Sequence, residues 1–168
     1  MNEIELVFPA KAHEVDAKEY LEEHIRYGES TLHGDSGLDS AESYDKWLEK
    51  INDALTCEIF SIIFFAIRKS DNRLIGTINV RYPYLGYVQV HGHIGYGVRP
   101  SERRKGYAAT MLKLALEYCR KVGLERVLLT CDKSNIASAR TIMRCSGVFE
   151  SEAMQPDGEM LQRYWIEL

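Results

Sequence analysis

A basic turn between a strand-like segment and an amphipathic helix is the part of this sequence best suited to chemistry. Arg103, Arg104 and Lys105 precede Gly106 and fall at the start of the predicted helix. The helix dipole disfavours cations at that end by roughly 0.3–1 kcal/mol each. Three consecutive cations are reasonable there if an anion binds among them, because helix-start amides and cations together bind phosphate. The turn therefore predicts a site for a phosphate-bearing cofactor.

Two other phosphate-binding loops are excluded by their glycine spacing. A dinucleotide fingerprint, GxGxxG, would have to begin at Gly95 and Gly97, but Pro100 stands where the third glycine is required. The GxxxxGK[ST] string of a Walker A loop does not occur. ATP and NAD are therefore poorly supported as ligands of the turn.

The elements that must position the turn follow from the spacing of apolar residues. Strands are expected at residues 4–8, 58–68, 74–82, 93–98, 126–131, 148–153 and 160–167. Helices are expected at residues 11–27, 44–55, 104–122 and 135–145. Residues 83–92 fit either an extension of the sheet or a loop over a site. The basic turn thus directly follows strand 93–98.

The element order is β-α-α-β-β-β-α-β-α-β-β, which predicts one α/β domain over residues 1–168 with a mixed sheet. Strand 93–98, helix 104–122 and strand 126–131 form a unit whose two strands should be parallel, with a right-handed crossover. The helix carries one apolar stripe for the core: Ala108, Met111, Leu112, Ala115, Cys119 and Val122.

Composition limits the class of protein. The 168 residues are 45% hydrophobic and 27% charged, which is typical of globular proteins, and the net charge of −4 argues against a nucleic-acid partner. No secretory signal is expected at the start, and the longest apolar stretch, near residues 59–67, is too short to span a membrane. The cysteines form no CxxC pair and are expected to be buried, reduced thiols of a cytoplasmic protein: Cys57, Cys119, Cys131 and Cys145.

Residues 103–108, RRKGYA, resemble the pyrophosphate-binding motif Gln/Arg-x-x-Gly-x-Gly/Ala of the GNAT superfamily of N-acetyltransferases. Gly106 would let the backbone approach a pyrophosphate, and Ala108 would keep that approach open. The order of elements is also the GNAT order. The segments HIGYGVRPSERRKGYA, CDKSNIAS and RYWIEL are similar to a bacterial group of predicted GNAT acetyltransferases without an assigned substrate.

The resemblance implies acetyl-CoA as the cofactor and acetyl transfer to an amine as the reaction. It implies that the strand before the motif separates from the next parallel strand and pairs with pantetheine, and that an amide near Tyr96 to Val98 stabilises the oxyanion. The residues expected to bind the cofactor are Gly97, Val98, Arg99, Arg103, Arg104, Lys105, Gly106, Tyr107, Ala108 and Asn135.

The proton-transfer groups are less constrained. A lysine-like amine has a pKa of ~10 and must lose a proton before attack. His93, on the key strand, is the predicted general base, with a packed histidine as the open alternative; His91 shares its face as a lesser candidate. Many GNAT enzymes place a tyrosine acid where this chain has Ile142. Other groups that could serve are Cys145, Tyr96 and Tyr107.

The acceptor site is expected between residues 28–39, residues 82–92 and the turn at 155–158. The acids Glu29, Asp35 and Asp39 could attract a cationic amine, or could be ordinary loop acids. Aromatic residues at Tyr82, Tyr84 and Tyr87 suggest a lined site or a homodimer contact. The acceptor would be a small-molecule or peptide amine. The alternatives are a CoA-binding sensor without catalysis and an acyltransferase that uses another acyl group or a hydroxyl acceptor.

Overall fold

The computed structural model describes residues 3–53, 60–82, 84, 86–155 and 157–168. Predictions for Cys57, for the end of helix 44–55 and for the first residues of strand 58–68 lie outside the described residues. The strands, numbered along the chain, are β1 Ile4–Val7, β2 Phe60–Arg68, β3 Arg73–Tyr82, β4 Ile94–Val98, β5 Arg126–Asp132, β6 Val148–Met154 and β7 Met160–Glu167. The helices are α1 Glu14–Arg26, α2 Tyr44–Asp53, α3 Tyr87–His91, α4 Tyr107–Lys121 and α5 Ile136–Arg144.

The predicted α/β fold is confirmed, but the described strands pair in two antiparallel sheets rather than in the one mixed sheet that was expected. One sheet has the order β1-β2-β3-β4 and the other the order β5-β7-β6. In the described part of the chain no ladder joins β4 to β5. They meet at one point, where the His93 N–H donates to the Leu128 carbonyl oxygen at 2.7 Å. Beyond that point the two strands diverge, as the family resemblance implied.

Two segments differ from their predicted form. Residues 87–91, left open between sheet and loop, form the short helix α3. Helix α4 begins at Tyr107, later than the predicted start at 104. The reason is the backbone before it: Arg104 has φ of 63° and Gly106 has φ of 85°. Left-handed residues cannot continue a right-handed helix, so the basic residues lie in a loop before α4 rather than in its first turn.

The first sheet is covered on both faces. On one face α4 contributes the predicted apolar stripe, in which Met111, Leu112, Ala115 and Cys119 are fully buried against the sheet. On the other face α1 and α2 pack against β2 and β3. The aromatic residues buried there are Tyr20 from α1, Trp47 from α2 and Phe65 from β2. Such burial contributes about 25 cal/mol per Å² of apolar surface removed from water. Strand β4 is therefore held firmly along its β3 edge, while its other edge faces the gap to β5.

The described cysteines agree with the prediction of buried thiols. Cys119, Cys131 and Cys145 are free and buried, and burial raises the pKa of each thiol; for Cys119 it rises to about 12. These thiols are therefore protonated and unreactive at neutral pH. A search of the described helices for one long and apolar enough to cross a membrane found none.

Candidate active site

A cleft of about 850 Å³ opens where β4 and β5 diverge. One wall consists of β4, the loop before α4 and the first turn of α4, and the opposite wall consists of residues 130–132 and one face of α5. Residues 94–98 and 130–132 both follow the His93–Leu128 contact in chain order, so the two strands run in the same direction. The cleft therefore has strand backbone at its narrow end and a helix N-terminus beside it.

The backbone of β4 presents alternate residues to the cleft. The Arg99 N–H donates to the Ile75 carbonyl oxygen at 2.8 Å, and the His93 carbonyl oxygen accepts from the Arg81 N–H at 2.7 Å. Backbone groups alternate in direction along a strand, so the odd-numbered residues of β4 pair with β3. Tyr96 and Val98 therefore turn their N–H and C=O groups toward the cleft.

This alternation distinguishes the predicted contacts on β4. Gly97 and Val98 both line the cleft, although the backbone groups of Gly97 are directed to β3. A side chain is disfavoured at Gly97, because a Cβ there would lie 2.7 Å from the His33 carbonyl oxygen. The predicted contact at Arg99 is not supported, because Arg99 does not line the cleft and its side chain is buried on the other side, with Nη1 3.4 Å from Glu23 Oε2.

The start of α4 supplies backbone donors to the same cleft. Gly106 is the N-cap in a left-handed conformation, and no side chain caps the helix. The first N–H groups of the helix, from Tyr107 and Ala108, are therefore available to a ligand. Gly106, Tyr107 and Ala108 all line the cleft. The Tyr107 ring itself is buried in the core, and its hydroxyl accepts from Arg68 Nη1 at 3.5 Å.

The three predicted cations have different surroundings. Arg103 is paired with Glu29, whose Oε2 lies 2.7 Å from Nη2, and this guanidinium lowers the pKa of Glu29 to about 2. Lys105 is paired with Glu102 at 2.9 Å and does not line the cleft. Arg104 is exposed and lines the cleft, and no ion pair within the described ranges includes it. Arg104 is therefore the member of the trio whose charge is not already neutralised.

Helix α5 adds two cations that the sequence reasoning missed. Arg140 and Arg144 are exposed, line the cleft, and form no ion pair with any described residue. Their spacing of four places them on one helix face, which was the available signal. Asn135 also lines the cleft, and its Oδ1 caps α5 by accepting from the Ser138 N–H at 3.0 Å. The amide Nδ2 of Asn135 is left to serve as a donor.

His93 is positioned as a structural residue rather than as a base. Its side chain is 1% exposed, and Nδ1 accepts from the Leu128 N–H at 2.9 Å. Burial lowers the pKa of His93 to about 4, so the ring is neutral, with its proton on Nε2 and its lone pair already used. The ring stacks on Tyr84. It lines neither the cleft nor the smaller cavity beside the cleft. The prediction of a general base at His93 is therefore not supported; the residue joins the two sheets where the cleft begins.

A second cavity of about 400 Å³ adjoins the cleft. It shares His33, Ile94, Gly95 and Thr130 with the cleft, so the two spaces meet beside β4. Its other walls come from residues 32–37, from β3 and from α3. Two of the three segments predicted to form the acceptor site thus meet here, and residues of the 155–158 turn described by the structure do not line it.

The acids predicted to attract an amine are engaged within the protein. Glu29 is bound to Arg103 as above. Asp35 is buried, with Oδ2 accepting from the Asp39 N–H at 3.0 Å, and Asp39 Oδ2 accepts from the Leu32 N–H at 2.9 Å. These contacts fix the loop over β4.

Tyr96 extends into the cleft from β4. The family resemblance implied a tyrosine on α5 instead, at the position of Ile142. Ile142 is fully buried in the core and does not line the cleft. The Tyr96 hydroxyl lies 3.0 Å from Ser138 Oγ on α5, and burial raises the Tyr96 pKa to about 12. Tyr96 therefore remains protonated at neutral pH and can donate a hydrogen bond or a proton. Cys145, the other candidate acid, lies outside the cleft lining with Sγ 3.6 Å from the Ala109 carbonyl oxygen.

The diverging strands and the open helix start agree with a family match. The family model described as the acetyltransferase (GNAT) domain matches residues 9–147. This chain belongs to the GNAT acetyltransferase family. The predicted superfamily and enzyme class are thereby confirmed. A comparison with functionally curated proteins found no significant match.

Solved structures of GNAT acetyltransferases share this fold at low sequence identity. The microcin self-immunity acetyltransferase MccE, solved with acetyl-CoA and AMP, has a TM-score of 0.74 at 17% identity, with 100% of this chain and 94% of that chain covered. A ribosomal-protein alanine acetyltransferase from Vibrio fischeri has a TM-score of 0.75 at 16% identity, covering 98% and 91%. Mutant spermidine/spermine N-acetyltransferase SpeG from Vibrio cholerae has a TM-score of 0.69 at 16% identity, covering 98% and 93%.

Proposed function

We propose that this GNAT protein transfers the acetyl group of acetyl-CoA to a primary amine of a small molecule or peptide. The observation that carries the proposal is the cleft itself. Its strand edge presents the Tyr96 backbone groups and the Val98 N–H, while the Val98 carbonyl oxygen accepts from Arg103 Nε at 3.0 Å. The uncapped start of α4 lies in the same cleft. A thioester cofactor with an amide-containing arm and a pyrophosphate requires both features.

The residues present fit acetyl-CoA. The Tyr96 carbonyl oxygen and the Val98 N–H would hold the pantetheine amides, and the Tyr107 and Ala108 amides would hold the pyrophosphate. Arg104, with Arg140 and Arg144 across the cleft, would supply charge to the phosphates. When bound, the cofactor supplies an activated acetyl group. The reaction joins the acceptor nitrogen to the acetyl carbon, breaks the carbon–sulfur bond and returns the proton of the amine to the CoA thiol.

The chain's own groups can perform the proton transfers. The Tyr96 N–H faces the cleft and would stabilise the oxyanion. The Tyr96 hydroxyl, held by Ser138, would protonate the leaving sulfur. His33 lines both cavities and would accept the proton of the amine where the cavities meet. His91 lines only the second cavity, where burial and the charge of Arg81 lower its pKa.

Thiol release with a panel of amines tests the proposal. The panel includes polyamines, amino acids, aminoglycosides and peptide N-termini, since the solved relatives include enzymes named for spermidine and for ribosomal protein. At least one amine should release CoA thiol well above the background hydrolysis rate. No release with any amine, while acetyl-CoA still binds, would favour a CoA-binding sensor without catalysis.

Matched variants test the individual roles. Tyr96→Phe and His33→Gln should each lower kcat/KM by roughly 100-fold, within the range of general acid–base catalysis. Tyr44→Phe is the control, because the Tyr44 hydroxyl donates to the Ala10 carbonyl oxygen at 2.8 Å, away from both cavities. It should cost stability without changing kcat/KM. If kcat/KM of Tyr96→Phe equals that of the Tyr44→Phe control, Tyr96 is not the general acid.

A further inference from the structure

The second cavity contains a guanidinium that forms no ion pair with any residue described by the structure. Arg81 lies on β3 and lines this cavity beside His91 and Tyr87. Its Nη2 donates to the His91 carbonyl oxygen at a long 3.4 Å, and its Cζ lies 5.2 Å from the centre of the Tyr87 ring. None of the ion pairs among the described residues includes Arg81. A carboxylate partner for this cation is therefore missing from its described surroundings.

The hydrogen-bond donors of Arg81 are incompletely paired. The Nε atom is buried without a hydrogen-bond partner. A guanidinium has five N–H donors in a planar fork, and leaving them unpaired away from bulk water is unfavourable. Burial lowers the pKa of Arg81, which reflects the same lack of compensation. The fork geometry matches the two oxygens of a carboxylate or a phosphate.

The neighbours of Arg81 keep space open around it. A Cβ at Gly95 would lie 3.4 Å from Arg81 Nη2 and 2.9 Å from Asn79 Oδ1. Asn79 is buried and occupied, since Oδ1 accepts from the Gly95 N–H at 3.0 Å and Nδ2 donates to Ser36 Oγ at 3.2 Å. Gly95 also lines the cofactor cleft. The guanidinium therefore lies next to the strand along which the two cavities meet.

Among the described residues, one acid lines this cavity, and it is already engaged. Asp35 is 5% exposed, and its carboxylate accepts the Asp39 N–H within its own loop. A polyamine carries several positive charges, so Arg81 would repel it, and no free carboxylate of the described cavity lining would offset that repulsion. An amine that also carries an acidic group would instead place its anion on Arg81.

We infer that the acceptor is a small primary amine bearing an oxyanion group, a carboxylate or a phosphate, which Arg81 binds while the amine is directed toward the cleft. The inference rests on the proposed function, because it names the substrate class of that site. It makes Arg81 a specificity-determining residue. Carboxylate and phosphate both offer oxyanions to the guanidinium, and experiment can distinguish between the two groups.

Matched pairs of amines test the inference. Thiol release is measured for ornithine against putrescine, phenylalanine against phenethylamine, and phosphoethanolamine against ethanolamine. The acidic member of at least one pair should have the higher kcat/KM, and the pair identifies carboxylate or phosphate. In Arg81→Gln the KM of that member should rise roughly 10- to 100-fold, while the KM of its partner without an acidic group changes little. Arg81→Lys should recover only part of the loss, since lysine lacks the fork.

Control measurements separate the failure of this inference from the failure of the proposed function. Arg126→Gln is the control, because the Arg126 guanidinium, like that of Arg81, lies over an aromatic ring, here that of Trp165. Arg126 is exposed and lines neither cavity, so this variant should leave KM unchanged. Equal losses for both members of a pair in Arg81→Gln, or a parent preference for putrescine and phenethylamine, would overturn the inference. If no amine releases thiol, the proposed function fails. Binding of the acidic amines to CoA-saturated protein, lost in Arg81→Gln, then still supports the inference, and no such binding rejects it.

Discussion

Three arginines around the cleft give the account its most quantitative prediction. Arg104, Arg140 and Arg144 are exposed, line the cleft and form no ion pair with other described residues. An exposed ion pair typically contributes about 0.2–1 kcal/mol, and a phosphate of near-double charge favours the upper part of that range. If the contributions add, replacing all three by glutamine should cost about 2–3 kcal/mol of acetyl-CoA binding. That loss is roughly 30- to 150-fold in Kd.

Isothermal titration calorimetry of acetyl-CoA at low and high salt measures this effect. The parent's Kd should rise with salt, because exposed charges are screened over about 3 Å at 1 M ionic strength. The triple variant should show a weaker salt dependence, so the two proteins converge at high salt. Arg120→Gln is the matched control, since Arg120 is exposed on α4 but outside the cleft. A triple variant within threefold of the parent at low salt would refute the electrostatic role of this group.

Three further predictions concern single positions. His93→Asn keeps an acceptor for the Leu128 N–H, so kcat/KM and its pH profile should match the parent within about threefold; loss of the acidic limb, where a general base loses its proton, would restore His93 as the base. Gly106→Ala forces a Cβ into a left-handed position at about 1–2 kcal/mol, so Tm in a thermal melt should fall by roughly 2–8 °C; an unchanged Tm would contradict the strain. Because Arg103 lowers the pKa of Glu29 from 4.5 to about 2, their pair stabilises the fold above pH 4.5 and is lost as pH falls toward 2. The Tm difference between parent and Glu29→Gln should therefore shrink over that interval, and a constant difference would exclude the pair as its cause.

Strands and helices were predictable where apolar periodicity is regular. Helix α4 shows both the success and its limit. The buried stripe from Met111 to Cys119 was evident from spacing, but the helix start was placed too early. The loop before α4 depends on a left-handed arginine, Arg104, and only glycine signals that conformation in a sequence.

The candidate site was predictable where backbone chemistry defines it. The motif around Gly106 indicates the open helix start, but the sequence does not show which residues of β4 direct their backbone groups to β3, because that depends on the register of the two strands. The prediction therefore grouped Val98 with Gly97 and Arg99, which pair with β3. The predicted base at His93 fails because its burial and its bond to the Leu128 N–H arise only in the folded protein.

The missed residues are those brought to the site by distant elements. Arg140 and Arg144 come from α5, and Arg81 comes from β3, more than ten residues before the motif. The spacing of four between Arg140 and Arg144 is the one local signal, and the local sequence of Arg81 does not distinguish it from a surface arginine. Their importance comes from the absence of carboxylate partners in the described structure, which is a tertiary property.

The central claim is that acetyl-CoA binds along β4 and at the start of α4, and amide NMR tests it most directly. Titration with acetyl-CoA should move the N–H resonances of Tyr96, Val98, Tyr107 and Ala108 and saturate at a stoichiometric amount of ligand. The Arg99 amide, already bonded to Ile75, should shift much less. No saturable shift at millimolar acetyl-CoA, or shifts centred on another face of the molecule, would contradict the account.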